Sequence, residues 1–336
     1  MTCSTRTPGL LRFYNDEGSF RLSTDLTAVE DTKVQKALGP AEPDMKGKKL
    51  WVAITAHRPL ARIDPLINVV RAYSDFVCDV SINVYIDYES QDCIEDLEAI
   101  LKAVSTKTID IKVASPGYEN WYLTWAHKTD LALAILNREA DFYIYQENDM
   151  VLTWDNFVYW VRWKPRLSQL GLEPGFVRYE NYEDKKIAFD NYYPYSLSRE
   201  TPNIWGSVGF TVPKLLVVDR EIHFFVQLAN PYYGAMILDQ TDGEIYIRSD
   251  SYDPQKSYEK VGIRNWPIAD RSSMGLAFES VPKGYEHRRC VPMYKHEGSY
   301  KLHPVGLIHH DDLKYSPKLK ELHGSLLDCD YLLSLA

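Results

Sequence analysis

Long apolar runs, paired cysteines and basic runs are all missing from this 336-residue chain. The longest apolar run, Leu131 to Leu136, falls far short of the roughly 20 residues a membrane helix needs, so no transmembrane segment is expected. The first residues, Met-Thr-Cys-Ser-Thr-Arg-Thr-Pro, lack the apolar stretch of a secretory signal. Five cysteines, Cys3, Cys78, Cys93, Cys290 and Cys329, are odd in number and widely scattered, with no C-x-x-C pair. They read as free thiols in a reducing compartment, and the expectation is a cytoplasmic protein. No run of five basic residues occurs, and 38 Lys plus Arg stand against 47 Asp plus Glu, a formal charge of −9. That balance argues against a nucleic-acid partner, whose nonspecific affinity comes from Lys and Arg displacing counterions. An anionic ligand would need a local basic pocket or a metal ion that bridges it to carboxylates.

What the chain does have is ordinary bulk and an excess of aromatics. The 45% apolar and 25% charged fractions fit a globular protein and exclude a disordered or collagen-like chain. At 336 residues there is room for two domains or one elaborated domain, with a core that needs no disulfide or metal to fold. Eight Trp, 24 Tyr and 11 Phe bring the aromatic fraction to 13%, with Tyr in excess. Such rings suit stacking on sugars or bases, and equally a large core with amphipathic rims.

Residues 1–48 mix Pro, Gly and charge and read as an N-terminal extension of weak structure. From Leu50 the pattern is regular. Residues 50–55 form an apolar run typical of a buried strand, and Asp64-Pro65 offers a helix start. Leu66, Val69, Val70 and Tyr73 follow at helical spacing, and Val80, Ile82, Val84 and Ile86 alternate as a strand that closes at Asp87. Ile94, Leu97, Leu101 and Val104 predict a helix, residues 109–113 a strand, residues 125–138 a buried helix and residues 142–145 a fourth strand. That strand runs into Gln146-Glu147-Asn148-Asp149. Beyond Thr153 a helix with Phe157, Trp160 and Val161 leads into a less regular, aromatic half. There residues 175–179 and 210–212 read as strands, and residues 181–207 and 240–266 as long loops.

Strands alternating with helices predict an α/β fold with a mostly parallel sheet. Ligands in such sheets bind beyond the carboxyl ends of the strands, which here means Thr55, His57 and Arg58, Asp87, and the Glu147 to Asp149 loop. Two carboxylates one residue apart at a strand tip suit a hard cation such as Mn²⁺ or Mg²⁺. A solvated acidic turn has the same spacing.

The segments Leu123-Thr124-Trp125-Ala126-His127-Lys128, Phe142-Tyr143-Ile144-Tyr145-Gln146-Glu147-Asn148-Asp149-Met150, Thr153-Trp154-Asp155-Asn156-Phe157 and Gly175-Phe176-Val177-Arg178-Tyr179-Glu180 together resemble a GT-A-fold, metal-dependent glycosyltransferase. The likeness is to an algal, viral and bacterial group with an E-D-D-like metal loop. It continues through Asn230-Pro231-Tyr232-Tyr233-Gly234, Trp266-Pro267-Ile268-Ala269-Asp270-Arg271 and Val305-Gly306-Leu307-Ile308-His309-His310. The resemblance implies a Rossmann-like sheet with a nucleotide-sugar half at 49–150 and an acceptor and catalytic half at 151–315; the leucine-rich tail at 316–336, without the basic face of an interfacial helix, reads as a helical segment docked on the domain.

It further implies that Glu147 and Asp149 hold Mn²⁺ or Mg²⁺ on the donor diphosphate, with Asn148 in the loop and His309 or His310 as a further ligand. A hydrogen-bonded structural pair is the plainer reading of those histidines. Asp87 would accept from a uracil N–H, flanked by Thr55, His57 and Arg58, and could otherwise be a turn former. His127 and Lys128 would meet phosphate, or else form an exposed basic helix face. Asp270 would be the general base of an inverting transfer, with Asp239 and Asp242 as weaker alternatives, or simply an acid at a helix start. A retaining enzyme needs no such base. Trp205, Tyr232 and Tyr233 would stack on the acceptor glycan, with Asn230 as a polar contact. The expected activity is transfer of a sugar from a nucleotide donor, a UDP-sugar, to a glycan hydroxyl. The rivals are a metal-dependent sugar nucleotidyltransferase or hydrolase and a noncatalytic carbohydrate-binding protein. The first would want a Gly-rich phosphate loop where Ala56-His57-Arg58-Pro59 stands.

Overall fold

The computed structural model describes residues 10–11, 43–87, 89–118, 120–182, 185–188, 213–218, 221–227, 232–259, 268–277, 280–285, 288–296, 299–312 and 327–328. Its first half alternates strands and helices as the periodicity requires. These are β1 (Lys49–Ala56), α1 (Ile63–Ala72), β2 (Asp79–Ile86), α2 (Gln91–Val104), β3 (Asp110–Ala114), α3 (Lys128–Leu136), β4 (Phe142–Glu147), β5 (Met150–Val151) and α4 (Trp154–Ser168). The second half adds β6 (Glu173–Pro174), β7 (Val177–Tyr182), β8 (Lys185–Ala188), β9 (Pro213–Val218), β10 (Glu221–Gln227), β11 (Ala235–Asp239), α5 (Gln240–Tyr246), α6 (Pro254–Glu259), α7 (Ile268–Arg271), β12 (Arg289–His296), β13 (Ser299–Leu302) and β14 (Leu307–His310).

The central sheet has the order β11-β4-β1-β2-β3. β4, β1, β2 and β3 are parallel and β11 joins the edge antiparallel, so this is an α/β fold with a mostly parallel sheet flanked by helices. β1 is central, and all its residues after Lys49 are buried. Side chains alternate between faces along a strand. Leu50, Val52, Ile54 and Ala56 therefore pack with Leu66, Val69 and Val70 of α1, Leu97 and Leu101 of α2, and Phe157, Trp160 and Trp163 of α4. Trp51 and Ala53 pack with Tyr143 and Tyr145 against Leu131, Ala134 and Ile135 of α3 and Tyr246 of α5. Each fully buried Val or Leu contributes about 1.5–3 kcal/mol, which is why a continuous apolar strand takes the middle of the sheet.

Two smaller sheets form from the aromatic half. One joins a two-residue strand (Leu327–Asp328), β8, β7, β14 and β5 in that order. The other orders a strand at Leu10–Leu11, β9, β10, β12 and β13, with β6 alongside β12. α4 starts with a reciprocal cap in which Thr153 and Asn156 satisfy each other's backbone N–H. The Asn156 amide also donates to the carbonyls of Val305 (2.8 Å) and Leu307 (3.0 Å), and so ties this helix start to the entry of β14.

Several sequence expectations change. α1 begins before Asp64-Pro65, which lie within its first turn. The helix expected over 125–138 is shorter at both ends, running over α3 (Lys128–Leu136) after a 3₁₀ turn (Asn120–Trp125). The segments 181–207 and 240–266, read as loops, hold β8 in one and α5 and α6 in the other. The strand expected at 175–179 runs instead over β7, and the one expected at 210–212 lies outside the described residues, as does most of the tail and of the N-terminal extension. No helix among the described residues is long and apolar enough to cross a membrane.

Candidate functional site

The carboxyl ends of β1 and β4 meet at the acidic loop. Asn148 N–H donates to the Thr55 carbonyl at 3.1 Å, and Glu147 N–H to the Gly234 carbonyl at 3.1 Å. The loop is thus pinned to β1 on one side and to the entry of β11 on the other. Gly234 has φ +64°, and a Cβ there would stand 3.0 Å from the Met150 side chain and 3.3 Å from an Arg178 guanidinium nitrogen. The chain passes this closely only because that position is glycine.

Asp149 is met by the end of a strand distant in sequence. β5 pairs with β14 so that Met150 faces His310, and Asp311 N–H donates to the Asp149 carbonyl at 2.7 Å. His310 Nε2 then lies 3.3 Å from Asp149 Oδ2, and its Nδ1 lies 3.0 Å from Glu180 Oε1. Glu180 comes from β7, the parallel neighbour of β14, and both it and His310 are buried. Burial opposes a charge on His310, but the two carboxylates outweigh it and raise its pKa to about 9. His309 points to the other face of β14. Its Nε2 is 3.1 Å from the Asn181 amide, its ring lies against Tyr179, and it does not join Asp149.

Glu147 is linked sideways. The Tyr232 hydroxyl donates to Glu147 Oε1 at 2.7 Å and stands 3.4 Å from Asp270 Oδ1. The Arg178 guanidinium lies 4.6 Å over the Tyr232 ring. Burial and the neighbouring Asp149 charge raise the Glu147 pKa, while Arg178 counters them. The structure therefore gathers Glu147, Asp149, His310 and Asp270 and adds Glu180, Arg178 and the phenol of Tyr232. Asp270 sits in the four-residue helix α7, which ends at Arg271.

At the β1 and β2 ends, His57 Nδ1 is 2.5 Å from Asp87 Oδ2. Asp87 Oδ1 is buried and has no hydrogen-bond partner among the described residues, and so is an acceptor left for a donor N–H. Arg58 is exposed in a left-handed conformation, φ 49°. Thr55 is turned inward, with its hydroxyl 2.9 Å from that of Tyr145.

His127 and Lys128 neither face phosphate nor form an exposed basic face. His127 is fully buried and stacks on Tyr145 with ring centroids 3.9 Å apart. The Lys128 amine is buried against the Trp125 and Tyr246 rings, bonds the Tyr246 hydroxyl and donates to the Ser272 carbonyl at 2.9 Å. Desolvation pushes both pKa values well down. Tyr232 and Tyr233 are only 3% and 1% exposed, so neither can stack on a glycan. Tyr233 instead lies under the Arg289 guanidinium. Asp239 caps α5 and Asp242 is ion-paired to the buried Lys164, which occupies both alternative bases in structure. Trp205 and Asn230 lie outside the described residues.

A metal has a partial fit here. Asp149 offers a carboxylate and His310, once a metal displaces the proton its two carboxylates hold on it, an imidazole nitrogen, while Glu180 holds the far nitrogen as carboxylates behind a metal-bound histidine commonly do. No group of three or more His, Cys, Asp or Glu gathers in metal-binding geometry among the described residues, so any further ligands would come from substrate and water.

No protein-family model matches the chain, and no curated protein does. Among solved structures it is similar to the glycosyltransferase GlyE of Streptococcus pneumoniae TIGR4, with 12% identity over 67% of this chain and a TM-score of 0.32. The apo form of that protein gives 12% identity and a TM-score of 0.31. The chain spans 42% of the length of those neighbours. At that level of similarity, the α/β fold rests on the strand order and register themselves.

Proposed function

We propose that this chain is a metal-dependent glycosyltransferase of the GT-A type, moving a sugar from a UDP-sugar to a glycan hydroxyl with inversion. The observation that carries the reading is the approach of His310 to Asp149, 3.3 Å apart beyond the carboxyl ends of the central strands, with Glu180 behind the histidine. Mn²⁺ or Mg²⁺ held by Asp149 and His310 would offset the charge of the leaving diphosphate. Glu147 joins that set through its charge and is oriented by Tyr232. The Asp87 carboxylate oxygen that lacks a hydrogen-bond partner among the described residues suits the N–H edge of uracil.

Asp270 takes the proton of the acceptor hydroxyl as that oxygen bonds to the anomeric carbon and the bond from the same carbon to the diphosphate oxygen breaks. Its place beside Tyr232 puts it within the same hydrogen-bonded unit as Glu147. The test is UDP release from a panel of UDP-sugars in the presence of Mn²⁺. Asp270→Asn should lower release by about 10²-fold or more, the usual contribution of a general base. Undiminished release in that variant removes Asp270 from the chemistry.

A further inference from the structure

Among the described residues, three aromatic side chains outside the carboxylate cluster stand open to solvent: Tyr118 at 41%, Trp121 at 71% and Tyr122 at 46% exposure. A tryptophan that open is unusual for the largest apolar side chain, and three such rings together mark a contact surface. Trp121 and Tyr122 belong to the 3₁₀ turn Asn120–Trp125, and Tyr118 lies just before it. They follow β3 at the carboxyl edge of the central sheet, where ligands of such sheets bind.

The turn is anchored on its other side. Leu123 and Trp125 are buried, and Trp125 Nε1 donates to the Ile268 carbonyl at 2.8 Å, the first residue of α7. Asp270 is two residues further on. Four residues of 3₁₀ helix rise about 8 Å, so Trp121 is held a short way from the proposed base by one fixed connection. None of the three rings carries a charge, and no basic side chain belongs to the set, which disfavours an anionic lipid surface. A pyranose, by contrast, offers a flat C–H face to a ring and hydroxyls to Tyr O–H and Trp N–H groups at its rim.

We infer that Tyr118, Trp121 and Tyr122 form a stacking platform for a neutral glycan, engaging acceptor sugar units remote from the reacting hydroxyl. The inference rests on the transferase reading and supplies the acceptor surface that the buried Tyr232 and Tyr233 cannot.

The test is saturation-transfer NMR on the full chain with cellotriose, maltotriose and laminaritriose as probes, together with UDP titration in Mn²⁺. At least one trisaccharide should receive saturation. Trp121→Ala should weaken its binding about tenfold or more, as for a tryptophan hot spot, while Trp121→Phe retains most of it and UDP affinity stays unchanged. Absence of transfer to all three sugars, or transfer that survives Trp121→Ala, overturns the platform. So does self-association of the chain that Trp121→Ala abolishes, because the rings then cover a second copy. Trisaccharide binding through Trp121 without any UDP binding leaves the platform standing and removes the transferase.

Discussion

The Tyr232 hydroxyl, 2.7 Å from Glu147 Oε1, has a single proton to donate, and Asp270 Oδ1 stands on its far side at 3.4 Å. One phenol therefore couples the acidic loop at the end of β4 to the acid in α7. Tyr232→Phe keeps the ring under Arg178 but leaves half-buried Glu147 without its short donor. The expected cost is about 1–3 kcal/mol of stability, with a fall in sugar transfer that exceeds any fall in UDP affinity. Urea unfolding and UDP-release assays on the same preparation check both. Wild-type values in each would remove Tyr232 from the site.

Glu180 is a positioning residue for His310. Glu180→Gln keeps the size but weakens the hold on Nδ1, and the Mn²⁺ affinity measured through UDP binding should fall about 10–100-fold. Asn181→Ala, which removes the contact to His309 instead, should leave that affinity unchanged. Equal effects of the two variants would contradict the choice of His310 over His309.

Acid should weaken the fold partly through His303. Burial lowers its pKa to about 4. The unfolded chain, with an ordinary value near 6.5, binds the proton first, so stability from this group is complete above about pH 6.5 and declines as pH falls toward 4. His303→Asn can still accept from Val305 N–H and should lose less stability than wild type between pH 7 and pH 5. Urea midpoints at the two pH values decide it, and equal losses would refute the assignment.

Buried and exposed ion pairs should differ sharply. The Lys164 amine is paired with Asp242 and lies 3.7 Å from Glu173, whose other oxygen is 3.1 Å from Arg289 Nε, and all four side chains are buried. Lys164→Met should cost about 3–5 kcal/mol by leaving the buried Asp242 carboxylate without its cation. Lys48→Met breaks an exposed pair with Asp141 and should cost at most about 1 kcal/mol. Denaturant unfolding of the two variants measures the contrast.

The four parallel strands of the central sheet were legible because they are local and carry plain patterns, an apolar run in β1, alternation in β2 and an acidic stop at the end of β4, whereas the antiparallel edge strand β11 was not read. The second half was not, because its strands pair across long sequence distances. β14 finds β5 and β7 more than a hundred residues earlier, and nothing near Glu180 in sequence marks it as the partner of His310. Strand alternation alone shows that His309 and His310 must face opposite ways, but not which way. His127 and Lys128 misled because α3 is apolar nearly all round. Its orientation is set by Tyr145, Tyr246 and Trp125, contacts that only the fold supplies. The Tyr and Trp excess was visible, yet among the described residues most of it became core, and the open rings fell at Tyr118, Trp121 and Tyr122.

Calorimetric titration of the chain with UDP, with and without Mn²⁺, tests the metal-bridged donor site most directly. Binding should require Mn²⁺ and should be lost in both Asp149→Ala and His310→Ala. UDP binding that is indifferent to Mn²⁺, or that survives Asp149→Ala, would contradict it.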